Sequence, residues 1–254
     1  MGCTSSRDET LSEEELLIKT CEKSLGFQNH LSKTLLSSFI SYTSENQILL
    51  PDLLQALNKL DLENIETNTF INHFLYNNRI SIKKLNCLAI LLGSSKKPEK
   101  IQLLFDNYNE DIRPFLYKNE LETLISHILY INLSAIPSYT LSKNPNNFSL
   151  GSYTSKLNFF INSLLKHFLH RFLGTRSQIS YFEFEESFEN PEIEYLLNGK
   201  NLRVFCKNIF SKGKKQHKKN AQSYSQHIEN LPENNEVHEK KEKGPFHKIS
   251  LSIS

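Results

Sequence analysis

Apolar residues recur along this chain in short one-sided sets separated by polar stretches. Ile101, Leu104, Phe105 and Tyr108 form one set, and Leu121, Leu124, Ile125 and Ile128 form the next. Steps of three and four residues put each set on one side of a helix. Between them Leu116 stands four residues before Glu120, and Leu121 follows at once. The same exit pattern occurs three more times. Ile48 precedes Asp52, Leu53, Ala56, Leu57 and Leu60; Ile80 precedes Lys84, Leu85, Leu88, Ala89 and Leu92; Ile179 precedes Glu183, Phe184 and Phe188. Matching apolar sets lead into these loops, with Leu35, Leu36 and Phe39, then Phe70, Ile71 and Phe74, and last Leu165, Phe168, Leu169 and Phe172. The pattern predicts a helix–loop–helix unit repeated along the chain.

The rest of the chain frames these units. Ser12 and Glu15 make an S-x-x-E capping box that starts a helix near Glu13. The stretch IPSYTLSKNPNNFSLGSYTS is rich in Pro, Asn, Ser and Gly and reads as a linker or long loop. After Phe210 the chain turns polar and lysine-rich, which predicts disorder. The expected division is an N-terminal segment 1–11, a helical region 12–131, a linker 132–155, a second helical region 156–210 and a basic tail 211–254.

The repeated unit resembles the EF-hand superfamily. Four units behind a Met-Gly start look like the calcineurin-B and neuronal-calcium-sensor branch of it. The resemblance covers Leu31 to Leu197, most of the chain before the tail. It implies an all-α fold of helix–loop–helix pairs in two lobes, with Ile48 beside Ile80 and Leu116 beside Ile179 in short strand pairs. It also implies a hydrophobic groove for a partner helix.

An EF-hand loop needs oxygen ligands at positions 1, 3, 5 and 12, a backbone carbonyl at 7 and Gly at 6. In the third unit the resemblance places Asn109, Asp111, Arg113, Pro114, Phe115 and Glu120 at positions 1, 3, 5, 6, 7 and 12. Asn109, Asp111, Phe115 and Glu120 are therefore the candidate metal ligands. Arg113 puts a cation where an oxygen belongs, and Pro114 holds φ near −65° where the turn wants glycine. The first loop has the wrong length, the second is too short and ends in Lys84, and the fourth keeps Glu183 without an acid before it. Calcium binding is expected to be largely lost. A sensor using loop 109–120 is the alternative, and no other cofactor is expected.

Other chemistry is thin. His167 and His170 stand three apart, a spacing that can share a metal, but no acid or cysteine lies near them in sequence and Lys166 and Arg171 flank them. Glu183, Glu185, Glu186 and Glu189 read as a charged face. With no nucleophile elbow, phosphate loop or dinucleotide fingerprint, an enzyme is not expected. The four cysteines are scattered without a C-x-x-C pair, which argues for a reducing compartment.

Composition adds the question of location. The formal net charge is only +2, so global charge names no partner. No secretory signal is expected, and the longest apolar run, LNFFINSLLKHFLHRFL, is broken by four basic or histidine residues and cannot span a bilayer. Gly2, with Ser6, completes M-G-x-x-x-S, the pattern read for N-myristoylation, and Cys3 can take a palmitoyl chain. Two anchoring signals matter because a single myristoyl chain binds membranes only marginally. Lys212, Lys214, Lys215, Lys218 and Lys219 supply charge for an anionic membrane surface. These features predict a non-catalytic adaptor or regulatory subunit, lipid-anchored at the cytoplasmic face of a membrane, with a protein partner in its groove and no nucleic acid.

Overall fold

The computed structural model describes residues 11–209. The lipidation candidates Gly2 and Cys3, and the tail lysines Lys212, Lys214, Lys215, Lys218 and Lys219, lie outside the described residues. What is described is mostly helical, with two short antiparallel strand pairs.

Helix α1 (Glu13–Ser24) starts where the sequence places it. Ser12 is its N-cap, and its hydroxyl accepts from the Glu15 N–H at 3.5 Å. The reciprocal half of the expected capping box is absent, because the Glu15 carboxylate is buried and bound to Arg203. A charged partner in the interior outcompetes a surface cap.

Each repeat then takes the same path of helix, turn, three-residue strand and helix. The first is α2 (Ser32–Ile40), β1 (Gln47–Leu49) and α3 (Leu50–Lys59). The second is α4 (Ile65–Ile71) with a 3-10 turn, then β2 (Arg79–Ser81) and α5 (Ile82–Leu92). The third is α6 (Lys97–Tyr108), β3 (Phe115–Tyr117) and α7 (Lys118–Leu129). Two further helices, α8 (Ile136–Lys143) and α9 (Phe148–Phe159), precede the fourth, which is α10 (Ile161–Leu173), β4 (Gln178–Ser180) and α11 (Tyr181–Ser187). A short α12 (Pro191–Glu194) and a helix over 199–209, α13, follow.

The strands join the repeats in pairs. β1 runs antiparallel to β2 with Ile48 opposite Ile80, and β3 antiparallel to β4 with Leu116 opposite Ile179. All four central side chains are buried, while most of their strand neighbours face outward. Alternation within three residues is what a strand of that length does when one face is covered. The apolar faces read from the sequence point into a shared core. α5 is buried from Leu85 to Leu91 and packs on α2, α6 and α7. Phe172 stacks on Phe184 with centroids 5.5 Å apart, and Phe105 and Phe188 close on the same ring at 5.6 and 5.2 Å.

The expected linker 132–155 is corrected. α7 continues through a π-helical turn, Tyr130–Ala135, into α8, and α9 follows. Ile136, Tyr139 and Thr140 are buried on one side of α8, and Leu150, Thr154 and Leu157 on one side of α9. Both sets have helical spacing, and α1 packs across the two helices. Pro137 follows the π-helical turn directly, where the wider winding already interrupts the ordinary ladder, and the Asn132 carbonyl takes its bond from Arg203 instead. All described residues fall within one compact unit.

Among the described residues, no helix is long and apolar enough to cross a membrane.

Candidate functional site

The loop between α6 and β3 is organised by Arg113. Asn109 ends α6, and its Oδ1 accepts from the Arg113 N–H at 2.9 Å while its amide donates to the Arg113 carbonyl. Ile112 carries φ of +52°, the left-handed turn that brings the chain back. The Arg113 guanidinium bonds Glu120 Oε1, and its Nε lies 3.6 Å from Asp111 Oδ2. Glu120 Oε2 accepts from the Tyr117 N–H at 2.7 Å, which fixes the start of α7. Both side chains of the Arg113–Glu120 pair are largely shielded, at 19% and 11% exposure. The guanidinium also faces the Tyr117 ring at 4.4 Å. So Asn109, Asp111 and Glu120 do converge, and they converge on an arginine of the same loop. Phe115 lies in β3, its side chain in ring contact with Tyr117.

The fourth loop repeats the device. Arg176 pairs with Glu183, seven residues on, as Arg113 does with Glu120. Its remaining donors reach the Leu173 carbonyl at 3.2 Å and the Phe172 carbonyl at 2.9 Å, closing the C-terminus of α10. Glu183 accepts from the Ser180 N–H at 2.9 Å and the Ser180 hydroxyl at 2.7 Å, completing a capping box. The Ser180 backbone and hydroxyl, with Arg176 behind them, hold the Glu183 carboxyl below its usual range.

The first two loops are shorter and close on backbone alone. In Ser44–Gln47 and Tyr76–Arg79 the two end residues exchange backbone bonds of 2.9 to 3.0 Å. Their central residues Glu45, Asn46, Asn77 and Asn78 have φ from 50° to 61°. Positive φ at both centres marks a type I′ turn, a geometry asparagine tolerates well. Neither turn gathers side-chain oxygens, and Lys84 points away to sit 3.4 Å over the Tyr130 ring. Among the described residues no group of three or more His, Cys, Asp or Glu side chains is placed to hold a metal.

A groove opens beside loop 109–120. It encloses about 610 Å³ and is lined by Leu36, Ile40, Ile82 and Leu103, with Asp106, Glu110 and Asp111 at its polar side. Ile40 is 58% exposed there. Asn86, buried on α5, donates to Asn107 Oδ1 at 3.0 Å, yet its own Oδ1 has no partner. A buried carbonyl oxygen without a donor costs about 1–3 kcal/mol, so Asn86 carries a local polar cost in the groove wall.

His167 Nε2 lies 3.3 Å from Glu192, which Arg171 also binds at 2.9 Å, and the His167 ring leans on Phe168 and Phe205. Of the four glutamates read as a charged face, Glu183 serves the capping box and Glu189 lies 3.6 Å from Lys97.

Sequence reasoning missed the largest polar assembly. Arg203, fully buried on α13, donates from Nε and Nη2 to both Glu15 oxygens at 2.9 to 3.1 Å. Its Nη1 reaches Glu22 at 3.1 Å and the Asn132 carbonyl at 3.3 Å. The π-helical turn explains that last contact, because its wider winding leaves carbonyls outside the ordinary ladder. Tyr153 adds a hydrogen bond to Glu15 at 2.6 Å. Gly199 is required at this junction, since a Cβ there would stand 2.4 Å from Asn132 Oδ1. The partners lie 188 residues apart in sequence, and no local pattern pairs them.

No family model matches this chain, and no curated protein matches it either.

Proposed function

We propose that this chain is a non-catalytic, membrane-anchored adaptor or regulatory subunit of EF-hand-like design that binds a helix of a protein partner. Arginine stands in it where calcium would. The observation that carries this reading is the Arg113 guanidinium held between Glu120 and Asp111. It supplies the positive charge that such a loop otherwise takes from a metal, and its twin in the fourth loop does the same. A loop closed by its own cation holds one conformation without a signal. The molecule then acts as a constitutive binder, and calcium does not open it.

The groove between α2, α5 and α6 suits an amphipathic helix, with Ile40 and Leu103 for its apolar face. Asp106 and Asp111 favour a basic group from the partner. The lipid sites Gly2 and Cys3, with the lysine tail, would keep this binder on an anionic cytoplasmic membrane face.

Ile40→Asp tests the groove. Ile40 is exposed, so the change should leave melting nearly unaltered. It should abolish recovery of the partner that wild-type protein captures from a crosslinked membrane fraction. Equal recovery by both proteins would remove the groove from the account.

A further inference from the structure

A second cleft lies on the other side of the buried Arg203 assembly. It encloses about 450 Å³ and is lined by Lys19, Lys23, Lys100 and Lys200, with Glu15 and Glu22 in its wall. Four cations therefore face two acids, and both acids are already bound to Arg203 at 3.1 Å or less. Lys19, Lys23 and Lys200 form no ion pair among the described residues, whereas Lys33, Lys83, Lys97 and Lys143 do. Lys100 has only the Leu91 carbonyl, at 2.7 Å, and burial pushes its pKa down. Lys200 also stands in the first turn of α13, whose N-cap Asn198 binds the Asn201 N–H at 3.1 Å, and Asn198 and Gly199 line the cleft beside it. A helix start favours negative charge.

We infer that this cleft is a binding site for a multiply phosphorylated polyol, met either as a lipid headgroup or as a free solute. Like charges gathered around a concave wall repel one another, and the arrangement costs free energy until an anion enters. The Arg203 contacts matter here because its charge offsets one of the two carboxylates, and the four lysines outweigh the other. The volume exceeds what a single phosphate needs. Leu11, Leu92 and Leu197 at the rim give the cleft an apolar lip beside the charge, which suits an anion carried on a membrane lipid. This inference does not use the EF-hand resemblance or the helix groove, and it survives the failure of either.

The test uses the full chain, with the tail lysines intact, and two probes. One is free inositol 1,4,5-trisphosphate followed by calorimetry; the other is vesicles of phosphatidylcholine with or without phosphatidylinositol 4,5-bisphosphate. Wild-type protein should bind the free probe. The triple variant Lys19→Gln, Lys23→Gln, Lys200→Gln should bind it about a hundredfold more weakly, since each basic residue near a phosphate surface contributes about a factor of five. All three side chains are on the surface or partly so, and an unchanged melting curve checks the fold. A variant with Lys212, Lys214, Lys215, Lys218 and Lys219 changed to Gln should keep the free-probe affinity. In that tail variant, stronger binding to the bisphosphate vesicles than to the free probe assigns the site to a headgroup, and binding no stronger than to the free probe assigns it to a solute. No binding of either probe by wild-type protein overturns the inference, as does a loss that follows the tail variant and spares the cleft variant.

Discussion

Replacing Arg203 by Met removes the cation at the centre of the assembly on α1 and α13. Arg203 is fully buried, Glu15 is 4% exposed, and three hydrogen bonds of 2.9 to 3.1 Å join them. The variant leaves Glu15 as a buried carboxylate with only the Tyr153 hydroxyl, and leaves the Asn132 carbonyl without its donor. Breaking one partner of a buried pair costs about 3–5 kcal/mol. For a domain of this size about 1 kcal/mol moves the melting temperature by 2–4 °C, so the variant should melt roughly 6–20 °C lower. Glu15→Leu together with Arg203→Met removes both charges and should recover most of the loss, because an apolar pair of similar volume replaces a desolvated ion pair. Thermal denaturation of wild type, both single variants and the double variant gives the coupling. A loss below about 1 kcal/mol in Arg203→Met, or additivity across the cycle, would refute the claim that these charges hold α13 to α1.

Three further outcomes are expected. Burial, with Lys84 and Lys83 nearby, lowers the His127 pKa from 6.5 to about 4, so the folded state binds fewer protons than the unfolded chain between those values. That contribution is complete above pH 6.5 and is lost as pH falls toward 4, by about 3 kcal/mol, and denaturant melts across this range should flatten in His127→Gln. Asn78→Val places a β-branched residue at φ of 58° and should cost about 1–2 kcal/mol by denaturant unfolding, while Asn78→Gly should cost nothing or stabilise. Gly2→Ala should move the protein from the membrane to the soluble fraction of expressing cells, and full retention would refute the anchor.

Much of the fold was legible because it rests on local periodicity. The apolar sets of α5, α6 and α7 are those that fill the core, and the residues Ile48, Ile80, Leu116 and Ile179 meet across the two strand pairs. That an arginine stands among the carboxylates of loop 109–120 was plain in one dimension. What Arg113 does there was less so, because its contact with Glu120 depends on the left-handed turn at Ile112. The helices α8 and α9 were hidden by their composition. Pro137, Gly151 and several Asn and Ser residues outweighed the helical spacing of Leu150, Thr154 and Leu157, and tertiary burial against α1 overrides such weak local preferences. The pairing of Arg203 with Glu15 and the cleft beside it had no local signal, since both arise only when α1 and α13 meet.

The central claim is that arginine replaces calcium in the third loop, and calcium titration of the full chain by calorimetry at physiological salt tests it most directly. The account predicts no heat of binding and no change in the amide spectrum of residues 109–120. Micromolar binding that is lost in Glu120→Gln would show that Arg113 yields its place to the metal, and would contradict it.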